Sequence, residues 1–91
     1  MLYIEQINCQ FCAELKGIVE NFNTLLPPKH RIKIIDATWN WGFNINLNPV
    51  LNHLDLEGTP ALYLNGRLYQ GFTSRGYFEM FLKGYLEKIG L

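Results

Sequence analysis

The chain has 91 residues, 48% of them hydrophobic, with six Phe, five Tyr and two Trp to fill a core. That suits one domain over residues 1–91. Eight Lys and Arg balance eight Asp and Glu, which removes the electrostatic motive for a nucleic acid or an anionic membrane as partner. No apolar run reaches the ~18 uncharged residues of a membrane span, and the N-terminal "MLYIEQINC" lacks the basic segment of a secretory signal. The expectation is a cytoplasmic protein working as a monomer.

Residues 2–7, "LYIEQI", are rich in β-formers and predict a strand. Phe11, Leu15, Ile18, Val19, Phe22, Leu25 and Leu26 then recur at spacings of three, four and seven, which predicts one face of a helix over residues 11–25. Pro27 and Pro28 stop it. "RIKIIDA", residues 31–37, predicts a second strand. "TWNWGFNINLN", residues 38–48, with four Asn and a Gly, reads as loop. Its Trp39, Trp41 and Phe43 either cover the core edge or form a docking patch. Asn48 and Pro49 open a short helix as cap and first residue, and Gly58 closes it.

"ALYLN", residues 61–65, predicts a third strand. Asn65-Gly66 then signals a two-residue hairpin, since both residues tolerate a positive φ. "RLYQG" returns as the fourth strand. Thr73 or Ser74 caps a last helix carrying Phe78, Phe81, Leu82, Tyr85, Leu86 and Ile89 at helical period. The order β-α-β-α-β-β-α makes the first two strands parallel and the hairpin antiparallel. The fold class expected is α/β, a four-stranded mixed sheet with helices on both faces.

The only two cysteines are Cys9 and Cys12. A loop closed by two intervening residues restricts the unfolded chain little, so the pair is a poor structural staple. Reactivity or metal binding are the candidates. For metal, His30 and His53 would have to complete the set. They lie 23 positions apart, unlike the ~3–5 residue spacing of zinc motifs, and the expectation is no metal and no resident cofactor. C-x-x-C after the first strand of a βαβ unit reads as a redox motif at the carboxyl end of a parallel sheet. A sulfur at the start of a helix meets unpaired N–H groups and the positive end of the helix dipole, and both favour the thiolate.

"CQFC", "EGTPALYLNGRLYQGFTS" and the order of elements together resemble the glutaredoxins and the small, glutaredoxin-sized thioredoxins. The resemblance implies a thioredoxin-like fold and thiol–disulfide oxidoreductase activity on protein or small-molecule disulfides. Cys9 would be the attacking thiol and Cys12 the resolving one. It also implies that Pro60, after Thr59, is a cis proline facing the disulfide, with Thr59 offering backbone groups to an extended substrate. Phe11, Gly71, Thr73 and Ser74 fall on substrate-contact positions, the last three where glutaredoxins hold glutathione. Electrons would come from glutathione or from a reductase. The chain departs from the pattern in several places. Gln10-Phe11 stands between the cysteines without a proline, and no lysine precedes Cys9. The acid that thioredoxins bury before the motif falls near Tyr3, and Gln70 replaces a glycine. Two further possibilities remain: a thioredoxin-fold binding module without catalysis, and a carrier of metal or an iron–sulfur cluster.

Overall fold

The structure is a computed structural model, described for residues 1–37 and 58–90. Among the described residues the helices and strands are, in chain order, β1 (Leu2–Glu5), α1 (Gln10–Asn23), β2 (Lys33–Asp36), β3 (Ala61–Leu64), β4 (Arg67–Gln70) and α2 (Arg75–Lys88). A single 3-10 turn, Pro28–His30, fills the space between α1 and β2. The prolines that stop the helix thus start a tighter turn, for which their fixed φ is suited.

The four strands form one mixed sheet in the order β2-β1-β3-β4. β1 and β2 run parallel, Tyr3 opposite Ile34 and Glu5 opposite Asp36. β3 runs antiparallel to both β1 and β4. Asn65 at φ 49° and Gly66 at φ 81° make the hairpin turn between β3 and β4, the doubly left-handed geometry that Asn-Gly accommodates.

Strand alternation sorts the side chains into two layers. Tyr3, Leu62 and Leu64 face α1 and α2, where they pack with Leu15, Val19, Phe78 and Leu82. Ile4, Ile35, Ala37 and Ala61 are buried on the opposite face. Both described helices lie on one face and touch each other. The short helix expected after Asn48 falls outside the described residues, as does the Trp39/Trp41/Phe43 loop.

Three expectations are corrected. β1 ends at Glu5, not Ile7; Ile7 is in a turn and Asn8 takes a left-handed φ of 62°. α1 ends at Asn23, so Leu25 leaves the helical face and is 81% exposed, while Leu26 turns inward. Ile89 is the C-cap of α2 and is partly exposed. In each case the element stops before the apolar pattern does. Among the described residues no helix is long and apolar enough to cross a membrane.

Candidate functional site

Cys9 is the N-cap residue of α1, with extended φ and ψ of −97° and 98°. The chain reaches it through the left-handed Asn8, a conformation that Asn tolerates better than most residues. Its sulfur occupies the place of a capping oxygen: the Cys12 backbone N–H donates to Cys9 Sγ at 3.1 Å. A helix start leaves its first N–H groups without intrahelical partners. Here one of them is satisfied by the sulfur itself.

Cys9 and Cys12 are joined as a disulfide, their Cα atoms 5.1 Å apart. The two sulfur-bearing residues are not equivalent. Cys9 is half-buried, at the rim of a cavity of about 450 Å³. Cys12 is 1% exposed, one turn into the helix. Glu5 and Asp36, adjacent in the parallel register, line the same cavity. Lys16 Nζ lies 3.6 Å from Glu5 Oε1.

Behind the cysteines stands Tyr3. Its ring is fully buried, and its hydroxyl donates to the Cys12 carbonyl at 2.6 Å. Phe78 meets that ring edge-on, with centroids 5.9 Å apart. Burial pushes the phenol's pKa well above its ordinary value, and the Glu5 carboxylate adds to the rise. Tyr3 therefore remains a neutral hydrogen-bond donor across the whole range in which a thiol ionises.

The Thr59–Pro60 peptide bond is cis, and Pro60 is buried. Ala61, which follows it, pairs with Ile4 of β1. Thr59 Oγ1 donates to Gln6 Oε1 at 2.9 Å. The loop before β3 is thus fastened to the segment that leads into Cys9. Thr59, Pro60, Gly71 and Phe72 share a second cavity of about 340 Å³. Gly71 has a φ of 82°, a left-handed bend for which glycine is suited. Gly71, Phe72 and Thr73 also line a third cavity, with Tyr77 and Phe81.

The expected site residues therefore fall into neighbouring groups, not one pocket. Cys9 opens on one cavity; Thr59, Pro60 and Gly71 share another; Thr73 lines the third. Phe11 is half-buried and packs against the core. Of the two candidate caps, Ser74 fills the role, its Oγ accepting from the Tyr77 N–H at 3.1 Å. Tyr3, Gln6 and the Glu5/Asp36 pair escape a reading of the motif alone. The available signal was position: a tyrosine and two acids on strands that end at the cysteines. Among the described residues no group of three or more His, Cys, Asp or Glu side chains is placed to hold a metal ion. His30 lies in the 3-10 turn, and His53 is outside the described residues. Compared with family models, with curated proteins and with solved structures, the chain matches none.

Proposed function

We propose that the chain is a dithiol–disulfide oxidoreductase with a thioredoxin-like fold, of the glutaredoxin or small-thioredoxin kind. The observation that carries this reading is the asymmetry of the two sulfurs. Cys9 is half-exposed at a helix start and accepts a backbone N–H, whereas Cys12 is buried one turn deeper. The first arrangement suits a nucleophile, because the N–H and the helix dipole lower the free energy of the thiolate. The second suits a resolving thiol that must stay away from solvent until a partner sulfur is bound to Cys9.

The chemistry balances as two exchanges. The Cys9 thiolate attacks one sulfur of a substrate disulfide; a Cys9–substrate disulfide forms and the other substrate sulfur leaves as thiolate. Cys12 then passes its proton to that departing thiolate and attacks Cys9 Sγ. The Cys9–Cys12 disulfide forms and the second substrate thiolate departs. Two electrons have passed from the protein to the substrate. A thiol reductant, glutathione or the dithiol of a reductase, returns them by the reverse exchanges. Thr59, ahead of the buried Pro60 and held by Gln6, would supply backbone groups to an extended peptide flanking the substrate disulfide. The parallel β1–α1–β2 unit with an antiparallel β3–β4 hairpin beside it supports the thioredoxin-like reading.

The test is turnover of a protein disulfide and of a glutathione mixed disulfide by three proteins. The parent reduces substrate catalytically. Cys9→Ser does not react. Cys12→Ser accumulates a covalent adduct on Cys9 that added thiol releases. Turnover retained in Cys9→Ser would overturn the assignment.

A further inference from the structure

We propose that Tyr3 is a positioning residue for the Cys9 sulfur: by tethering the Cys12 carbonyl to the sheet it keeps the Cys12 N–H aimed at Cys9 Sγ. The inference rests on the dithiol chemistry proposed above and assigns a further residue to it.

The tether is more than the helix requires. Cys12 is the third residue of α1, and a carbonyl at that position already accepts the N–H four residues on. The Tyr3 hydroxyl therefore adds a second donor to an oxygen that the helix satisfies. Packing does not require it either, since a phenylalanine would keep the ring and its edge-on contact with Phe78. Burying a hydroxyl is unfavourable unless it is hydrogen-bonded, and here the bond of 2.6 Å goes to the residue whose own N–H donates to the Cys9 sulfur. The carbonyl and the N–H of Cys12 flank the same Cα. Fixing the carbonyl against β1 limits rotation of that turn and so the direction of the N–H.

The charges nearby make that direction matter. Glu5 and Asp36 are the acidic side chains lining the cavity beside Cys9. Lys16, the cation on α1 nearest to them by contact, pairs with Glu5. Two carboxylates disfavour a third anion in their midst. What favours the thiolate is the helix start, and the contact made there, to the Cys9 sulfur of the disulfide, is the Cys12 N–H at 3.1 Å. Because Tyr3 stays protonated through the thiol's titration, the tether is present in both states of Cys9.

The experiment follows ionisation, not turnover. In the Cys12→Ser background, which keeps the backbone N–H and carbonyl, Cys9 is the sole thiol. Its alkylation by iodoacetamide is measured from pH 5 to 10, with circular dichroism as the check on folding. Tyr3→Phe is expected to raise the midpoint by about 0.5 pH unit or more, a loss of about threefold in reactivity at pH 6. The limiting rate at high pH should not fall. Replacing the tyrosines with 2,3-difluorotyrosine makes Tyr3 a stronger donor of nearly the same shape and should lower the midpoint. This second protein carries the test where Tyr3→Phe does not fold. A midpoint unchanged in the folded variants overturns the tether while leaving the redox reading intact. An ordinary midpoint near ~8.5 in the parent, together with no turnover of disulfides by the parent dithiol protein, overturns both.

Discussion

Asn23 clamps Ile32 through both of its backbone polar groups. The Asn23 Nδ2 donates to the Ile32 carbonyl at 2.9 Å, and Asn23 Oδ1 accepts the Ile32 N–H at 2.8 Å. The last residue of α1 thus pairs with the backbone of the residue just before β2 begins. The side-chain amide has one donor and one acceptor arm, as a backbone partner would.

Asn23→Ala removes both bonds and leaves two groups of a residue that is itself buried without their partners. The expected cost is about 2 kcal/mol, or a fall in Tm of about 8–16 °C for a domain of this size. Thermal unfolding by circular dichroism reads it. Asn23→Asp keeps the acceptor and loses the donor, and should fall between the two. A variant as stable as the parent would mean that solvent replaces the clamp without penalty.

The order of the described elements was legible because each carries its own local signal. The spacing of Leu15, Ile18 and Val19 predicted α1, Asn65-Gly66 predicted the hairpin, and the Thr73-Ser74 pair predicted the start of α2. The ends were less legible, since apolar spacing continues past the residue at which the backbone stops turning. The clamp on Ile32, the Tyr3 bond to Cys12 and the Gln6 bond to Thr59 had no local signal at all. They join residues nine, nine and fifty-three positions apart. Each depends on where the chain returns, and neither propensity nor period specifies that. At the site, C-x-x-C announced the two sulfurs but not their unequal burial, which comes from Cys9 being the cap and Cys12 lying on the buried face of the helix.

Leu25 and Leu26 test the helix end directly. Both fit the apolar period of α1, yet Leu25 is 81% exposed and Leu26 7% exposed. The Thr24 hydroxyl bonds back to the Asn21 carbonyl, and the Leu25 and Leu26 N–H groups reach only three residues back. The chain has left the helical step there. Leu26→Ala should cost about 2–4 kcal/mol as a core truncation, and Leu25→Ala should stay within about 0.5 kcal/mol. Urea denaturation of the two variants distinguishes them; equal losses would place Leu25 in the core.

Thr59 and Gln6 form the link between the β3 approach and the cysteine loop. Thr59→Val preserves shape and removes the donor. Because the site is only partly buried, water can take over some of the lost bonding, and the expected loss is about 1 kcal/mol. Adding Gln6→Leu should then cost less than it does in the parent, since the interaction is already gone. The double-mutant cycle, measured by chemical denaturation, isolates the pair. Strict additivity would show that the bond contributes nothing to stability.

Tyr3 makes stability fall in alkali in a way that a phenylalanine does not. Its folded-state pKa lies above the value in the unfolded chain, because burial and the Glu5 carboxylate both disfavour the phenolate. Up to about pH 9 the phenol is protonated in both states and the folded state keeps the full benefit. As pH rises further the unfolded chain releases this proton while the folded chain holds it. The unfolded state then binds fewer protons, so stability declines by up to about 1.4 kcal/mol per pH unit from this group until the folded phenol itself ionises. Tyr3→Phe loses the 2.6 Å bond to Cys12 and should be less stable at pH 8 by about 1 kcal/mol. It escapes the alkaline penalty, so the difference between the two proteins should shrink as pH rises through 10 and come close to zero by about pH 10.5. Urea unfolding at pH 8, 9, 10 and 10.5 measures it, with every other titrating group common to both proteins. Parallel stability curves over that range would mean that Tyr3 titrates no differently in the folded chain than in the unfolded one.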